Sequence, residues 1–205
     1  MKFPTVKVCG NTDSKIIELC INHGVRLIGF IINYDKSPRS ISILELKKLI
    51  KNIPNSVKRV AVMVNPDIQE VKEVSNYCDS IQLHGNESNQ FIKQIKKLTN
   101  LHVIKAIKVA KQIDLQNMEQ FHDADEVLLD TPAMGQSGEA FNFDLLKQIK
   151  NKQFFLAGKI DINNVKTALK YTDKIDVNSG LETEKGIKDP KKLRNFSIWY
   201  INYEN

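Results

Sequence analysis

Short apolar runs alternate with amphipathic segments along the chain, and this alternation constrains the fold more than any other feature. Eight runs are each followed by a turn signal and then by apolar residues at helical spacing. The runs cover residues 5–8, 27–32, 59–64, 80–83, 103–107, 126–129, 154–157 and 174–177. Strands joined by helices pair in parallel through right-handed crossovers. Eight such units closed on themselves predict a (β/α)8 TIM barrel, near the lower size limit of that fold.

The segments between the runs support helical crossovers. One apolar stripe follows a cap at Asp13 or Ser14, and the last helix is expected to start near Asp189-Pro190, since proline suits the first helical turn. Residues 113–121 give the weakest helical pattern. An open doubly wound sheet is the alternative, but it usually has fewer strands and a G-x-G-x-x-G loop, which is absent here. With no repeat or linker, residues 1–205 predict a single domain.

The charge and the cysteine content limit the classes of partner and the cell compartment that we expect. The sequence has 30 lysines and arginines against 24 aspartates and glutamates, a net charge of +6 that favours anionic partners. The lysines are spread over predicted helix faces, which favours a small phosphorylated substrate over nucleic acid. The three cysteines have no metal-like spacing, and no apolar run reaches the ~18 residues of a membrane helix. We therefore expect a reduced, cytoplasmic protein without a secretory signal, as a monomer or a homodimer.

Polar residues and glycines stand where the predicted strands end, which is where β/α barrels carry their chemistry. A thiol and a carboxyl that face one pocket are a possible base and acid for moving protons on a small substrate. The loops after strands seven and eight commonly bind phosphate through backbone N–H groups. The candidates are Cys9, Arg39, Asn65, His84, Lys108, Asp130, Gly158, Asp176, Ser179 and Gly180.

The motifs around these positions resemble phosphoribosylanthranilate isomerase of tryptophan biosynthesis. The similarity extends from Lys7 to about Phe196, with the motifs in order and at suitable spacing. The motifs are Lys7-Val8-Cys9-Gly10-x-Thr12, Lys36-Ser37-Pro38-Arg39, Gln82-Leu83-His84-Gly85-x-Glu87, Leu129-Asp130-Thr131, Leu156-Ala157-Gly158, Asp176-x-x-Ser179-Gly180-x-Glu182 and Gly186-x-Lys188-Asp189. Each is weak alone, and together they are highly specific.

The resemblance implies an Amadori rearrangement of N-(5′-phosphoribosyl)anthranilate without metal or cofactor. The family role of general base falls on Cys9, and that of general acid falls on Asp130. Arg39 is placed to bind the anthranilate carboxylate, for which its planar fork is suited. His84 and Asp176 match positions that line the pocket near the ribose.

Acid–base chemistry at neutral pH requires an Asp130 pKa that is raised and a Cys9 pKa that falls toward 7. The phosphate is expected at Gly158, Lys159, Ser179 and Gly180. Whether Lys7 points into the barrel and assists is left open by the sequence.

Three residues depart from the family pattern, at positions that bear on phosphate affinity and pocket shape but leave the acid and base in place. Lys159 stands where a second glycine usually follows, so it is either strained or an added cation beside the phosphate. Asn178 replaces a small serine, and Asn11 replaces an apolar residue. The proposed acid and base could each have a purely structural role if they stood outside these motifs. A lone cysteine is mostly buried in the core, and Asp130-Thr131-Pro132 could simply begin a turn.

Two other functions compete with the isomerase. The analogous Amadori isomerase of histidine biosynthesis shares the fold, but an aspartate would be expected at position 9. Its substrate would also need a second phosphate cradle after strands three and four, which Gly85 alone does not supply. A phosphate-binding barrel that has lost catalysis is the other alternative, and Lys159 is the feature that favours it.

Overall fold

Eight parallel strands surround one axis and confirm the predicted (β/α)8 barrel. The computed structural model describes residues 4–132, 139–149 and 153–201. Each strand pairs in parallel with its neighbours, and the first pairs with both the second and the eighth, which closes the sheet and excludes the open alternative. The strands are β1 Thr5–Val8, β2 Leu27–Ile32, β3 Lys58–Met63, β4 Ser80–Leu83, β5 His102–Lys108, β6 Glu126–Asp130, β7 Phe155–Leu156 and β8 Lys174–Val177.

Helices of unequal length cover the outside of the barrel. Local capping explains several starts: the Asp13 side chain accepts from the Lys15 N–H, and Ser42 forms a capping box with Glu45. The last helix starts at Pro190, as expected. The helices are α1 Ser14–Asn22, α2 Ile43–Leu49, α3 Ile68–Val74, α4 Asn89–Leu98, α5 Asn117–Gln120, α6 Val165–Ala168 and α7 Pro190–Ile201.

The crossover between β6 and β7 differs from the expected helix. In the described part of this crossover the chain forms only a 3-10 helix, Phe143–Leu146, which is capped by Asn142. Leu146 is buried, and Leu145 and Ile149 pack against the core. A single 3-10 turn can bury a leucine pair at this spacing, so the apolar pattern did not distinguish it from a full α-helix.

Two small sheet elements lie beside the carboxyl ends of the strands and were not predicted. Ser40–Ile41 pairs in parallel with β2 in the loop that follows that strand. After β8 and a 3-10 turn at Ser179–Leu181, the segments Glu182–Glu184 and Ile187–Lys188 pair in antiparallel fashion. We call this element, residues 182–188, the β8 hairpin.

The buried side chains form two layers. An outer layer lies between the strands and the helices, and a smaller apolar cluster fills the barrel interior. The interior cluster consists of Val60, Ile104, Ala106, Leu128, Phe155 and Ala157. Because successive strand residues point to opposite faces, the polar residues on the same parity as this cluster also face the interior. No helix in the described ranges combines the length and the apolar character needed to cross a bilayer.

Candidate active site

A cavity of about 340 Å³ at the carboxyl ends of the strands brings the predicted site residues together. Eight of the nine residues predicted to act in the site line it: Cys9, Arg39, His84, Asp130, Gly158, Lys159, Asp176 and Ser179. Parallel strands end at the same edge of a barrel, which is why residues up to 170 positions apart meet here.

Cys9 directly follows β1 and is almost fully buried at the cavity wall. Its backbone N–H donates to the Val177 carbonyl at 2.9 Å, which fixes the start of the loop. A Cβ atom at Gly29 would lie 3.0 Å from the Cys9 Sγ and 3.1 Å from the Lys7 Cε, so a larger residue at this position on β2 would push against both side chains.

The electrostatic environment of Cys9 differs from the sequence expectation. Burial raises the pKa of the Cys9 thiol above its ordinary value, and the nearby Asp176 carboxylate acts in the same direction. The ammonium groups of Lys7 and Lys188 oppose this rise. The cations that favour a thiolate are therefore present, but burial has the larger effect on the pKa of Cys9.

Asp130 is the last residue of β6; Thr131 fixes its carboxyl group, and His84 lies beside it without a hydrogen bond. Its Oδ1 accepts from the Thr131 N–H at 2.7 Å, and its Oδ2 lies 3.6 Å from the His84 Nε2. On the other side of the imidazole, the Gln82 Nε2 lies 3.1 Å from the His84 Nδ1. With Gln82 donating, the proton of a neutral His84 is on Nε2 and points toward Asp130.

Lys7 and Asp176 form a buried ion pair across neighbouring strands. Lys7 is opposite Asp176 in the β1–β8 register, and its Nζ donates to the Asp176 Oδ2 at 2.8 Å. Lys7 is fully inaccessible, which settles the question that the sequence left open: its side chain points into the barrel. The second carboxylate oxygen of Asp176, Oδ1, is buried and makes no hydrogen bond within the described residues.

Arg39 lines the cavity, but an internal carboxylate already occupies one edge of its guanidinium. The Nε and Nη2 atoms donate to the two oxygens of Glu182 at 2.7 and 2.6 Å. Lys188 in turn approaches Glu182 at 3.3 Å and donates to the Asn178 Oδ1 at 2.9 Å. A substrate carboxylate can therefore meet only the remaining N–H groups of Arg39, and not the fork formed by Nε and Nη2.

The loops after β7 and β8 face the same cavity. Gly158 has a φ of 95°, and a Cβ there would lie 2.9 Å from the Thr131 Cγ2. Lys159 has a φ of 52°, so a lysine does occupy the left-handed conformation that a second glycine would favour. Gly180, the ninth predicted residue, is not among the lining residues. A Cβ there would lie 1.9 Å from the Ile160 carbonyl oxygen, so this glycine allows the two loops to pack together.

Sequence reasoning missed the roles of Gln82, Glu182 and Lys188, although all three stand in the motifs that carry the resemblance. Their partners are distant in sequence or depend on loop geometry, so spacing alone does not reveal them. Asn11 does not line the cavity: its side-chain amide donates to the carbonyls of Val8 and Gly29 at 2.8 and 3.0 Å. This departure from the family pattern braces the loop rather than changing the shape of the pocket.

Comparison with known proteins identifies similar sequences and structures over nearly the full length. A family model described as N-(5′-phosphoribosyl)anthranilate (PRA) isomerase matches residues 6–197. The N-(5′-phosphoribosyl)anthranilate isomerase of Legionella pneumophila (strain Lens) is 36% identical over 204 residues, which cover 95% of this chain and 96% of that protein.

Solved structures of such isomerases have the same fold. Phosphoribosylanthranilate isomerase from Thermotoga maritima matches with a TM-score of 0.87 at 29% identity, covering 98% of this chain and 99% of that one. The Thermotoga enzyme is dimeric, and monomers of it have been generated. A phosphoribosylanthranilate isomerase in complex with reduced 1-(o-carboxyphenylamino)-1-deoxyribulose 5-phosphate matches with a TM-score of 0.83 at 26% identity, covering 97% and 99% of the two chains.

Proposed function

Because this chain belongs to the N-(5′-phosphoribosyl)anthranilate isomerase family and is an isomerase of tryptophan biosynthesis, we propose which of its residues carry the reaction. Asp130 is the general acid and Cys9 the general base of an Amadori rearrangement. The rearrangement converts N-(5′-phosphoribosyl)anthranilate to 1-(2-carboxyphenylamino)-1-deoxyribulose 5-phosphate. The observation that carries this proposal is that a thiol after β1 and a carboxyl at the end of β6 line one cavity.

The chemistry has two proton transfers that fit these groups. Asp130 in its neutral form gives its proton to the furanose ring oxygen, and the ring opens to a Schiff base while Asp130 becomes a carboxylate. The Cys9 thiolate then removes the C2′ proton, which leaves an enolamine that relaxes to the ketone. The Nε2–H of His84 faces Asp130 at 3.6 Å and stabilises the carboxylate that the first step forms.

The remaining cavity residues suit the two anionic ends of the substrate. Gly158, Lys159 and Ser179 lie where β/α barrels bind phosphate, with Gly180 supporting the packing of the two loops. Arg39 presents its free N–H groups to the anthranilate carboxylate. Asp176 has an unpaired oxygen, Oδ1, that can accept from a ribose hydroxyl.

The competing functions have less support. The isomerase of histidine biosynthesis is disfavoured by the thiol at Cys9. The binding-only barrel depends on Lys159, but Lys159 lines the cavity and adds a positive charge to it, which suits a phosphate.

We further propose that residues 1–205 act as one cytoplasmic domain, as a monomer or a homodimer that binds no nucleic acid. All three cysteines are buried and unpaired, which suits a reducing compartment.

The test is turnover of freshly made phosphoribosylanthranilate, followed by the loss of its anthranilate fluorescence. We expect Cys9→Ala to lower kcat by ~100-fold or more while still binding a product analogue. Asp130→Asn should be at least as damaging, because an amide cannot donate the proton. Cys78→Ala is the matched control, since Cys78 is also buried but lies outside the cavity. Unchanged kcat in Cys9→Ala would overturn the assignment of the base.

A further inference from the structure

The surroundings of Cys9 contain an unusual number of buried charges for a site that must form a thiolate. Burial acts to lower the pKa of Lys7, but the attraction of Asp176 and Cys9 outweighs it, so the ammonium form is favoured. Lys188 of the β8 hairpin and Arg39 of the loop after β2 also interact electrostatically with Cys9. The groups around the thiol therefore belong to four different elements of the barrel.

The formal charges of this cluster do not balance while Cys9 is a thiol. Three cations, Lys7, Arg39 and Lys188, are buried with the carboxyl groups of Asp176 and Glu182, and Asp130 is a third buried carboxyl group that acts on Asp176 in the same cavity. With Asp130 protonated, as its proposed role of general acid requires before the reaction, one positive charge remains in excess, and a thiolate at Cys9 would make the cluster neutral. A buried charge without a counter-charge is unfavourable, so the cluster favours ionisation of the thiol.

Among the three cations, Lys7 has the geometry that couples most directly to the thiol. It precedes Cys9 by two residues, so both side chains point to the same face of the chain at β1. The Lys7 Cε and the Cys9 Sγ both contact the space above Gly29. The Asp176 Oδ2 takes one of the three N–H groups of the Lys7 ammonium and leaves the others for the sulfur. Lys188, in contrast, already donates to Asn178 and Glu182.

We propose that Lys7 is a positioning residue for the general base: it is anchored by Asp176 and stabilises the Cys9 thiolate from below the cavity floor. Lys7 is not among the residues that line the cavity, so it acts on the substrate only through Cys9. This inference rests on the proposed role of Cys9. The Lys7–Asp176 ion pair would then allow a buried thiol to act as a base near neutral pH.

The test compares Lys7→Met with Lys105→Met. Lys105 is the matched control, because it is equally buried and pairs with Glu87 at 2.9 Å, but it lies on the outer face of the sheet. Thiolate formation is followed by absorbance at 240 nm from pH 6 to 10.5. Subtracting the same titration of Cys9→Ala removes the tyrosinate absorbance at this wavelength, and Cys20 and Cys78 should not contribute below pH 10.5, because burial raises the pKa of each to about 12.

We expect Lys7→Met to raise the thiolate pKa of Cys9 by at least about one unit, so that about tenfold less thiolate forms at neutral pH. The acid limb of the kcat/KM profile should move to higher pH by the same amount, and activity should recover as the pH rises. Lys105→Met should shift neither quantity. If Lys7→Met does not fold, Lys7→Gln keeps a donor for Asp176 without the charge and should give the same shift.

The outcomes separate this inference from the proposed function. If Lys7→Met and Lys105→Met both leave the Cys9 titration unchanged, the proposed role of Lys7 is wrong, whether or not Cys9 is the general base. If Lys7→Met shifts the titration but Cys9→Ala keeps full kcat, the coupling stands and the base assignment fails. A purely structural Lys7 would lower stability without moving the pH profile, which also overturns the proposal.

Discussion

Lys159 occupies a backbone conformation that is unfavourable for a lysine, at a place where a phosphate is proposed to bind. Its φ of 52° lies in the left-handed region, which costs an L-residue other than glycine about 1 kcal/mol or more. The strain and the positive charge can be separated by substitution. We expect Lys159→Gly to raise the free energy of unfolding by ~1 kcal/mol and to raise KM severalfold, as measured by urea unfolding and steady-state kinetics.

Asn33→Gly is the control for this prediction. Asn33 has nearly the same φ, 49°, but is exposed and lies outside the cavity. It should leave KM unchanged, with a smaller gain in stability because asparagine tolerates the left-handed region. A Lys159→Gly variant with unchanged KM would show that the cation does not contribute to phosphate binding.

At the scale of elements, the β8 hairpin holds Arg39 in a single orientation. The two short hydrogen bonds that Glu182 accepts from Arg39 connect this hairpin to the loop after β2, and Lys188 approaches Glu182 from within the hairpin. Arg39 can then present only its free N–H groups to the cavity. Such preorganisation lowers the entropy lost when a substrate binds.

Removing the charge of Glu182 should therefore weaken substrate binding more than it slows the chemistry. We expect Glu182→Gln to raise KM about tenfold or more, because hydrogen bonds to charged groups are worth ~1.5–3 kcal/mol, with a smaller change in kcat. Glu184→Gln is the control, since Glu184 is exposed in the same hairpin. Equal KM values for the two variants would contradict this role for the hairpin.

The same elements show what a sequence can and cannot reveal. The eight strands and most of the site follow from apolar runs and from the residues after them, because strand ends must meet in a barrel. The β8 hairpin does not: Gly186, at a φ of 90°, allows its turn, but its importance comes from a contact with Arg39, 143 residues earlier. The sequence also did not predict that the pKa of Cys9 is raised, because the burial of a side chain at a strand end depends on every neighbouring loop.

At the scale of the whole molecule, the two ends of the barrel carry different charge arrangements. The carboxyl end holds the cavity and its buried cluster. The amino end carries ion pairs between strands, such as Arg59 of β3 with Asp79, which directly precedes β4, and Lys174 of β8 with Glu126 of β6, two strands away. In β/α barrels the amino end contributes to stability rather than to chemistry. Substitutions there should therefore change the stability and leave the activity intact.

Asp79 offers the clearest test of this division. Burial acts to raise the pKa of its carboxyl, but hydrogen bonds from the Arg59 side chain and backbone, both at 2.9 Å, outweigh it, so the pKa lies below its ordinary value. A carboxyl with a lowered pKa stabilises the fold above its unfolded pKa of ~3.9, and this contribution is lost as the pH falls through the folded value.

Asp79→Asn should then lower the free energy of unfolding by ~1–2 kcal/mol at pH 7, with kcat/KM unchanged. The difference from wild type should shrink as the pH falls below ~4, because the wild-type carboxylate is then also lost. Urea unfolding at pH 7 and pH 3 measures both quantities. Asp144→Asn removes an exposed pair with Lys147 and should change the stability little at either pH. A loss of kcat/KM in Asp79→Asn would mean that the two ends of the barrel are coupled, so that its chemistry depends on the ion pairs at the opposite end.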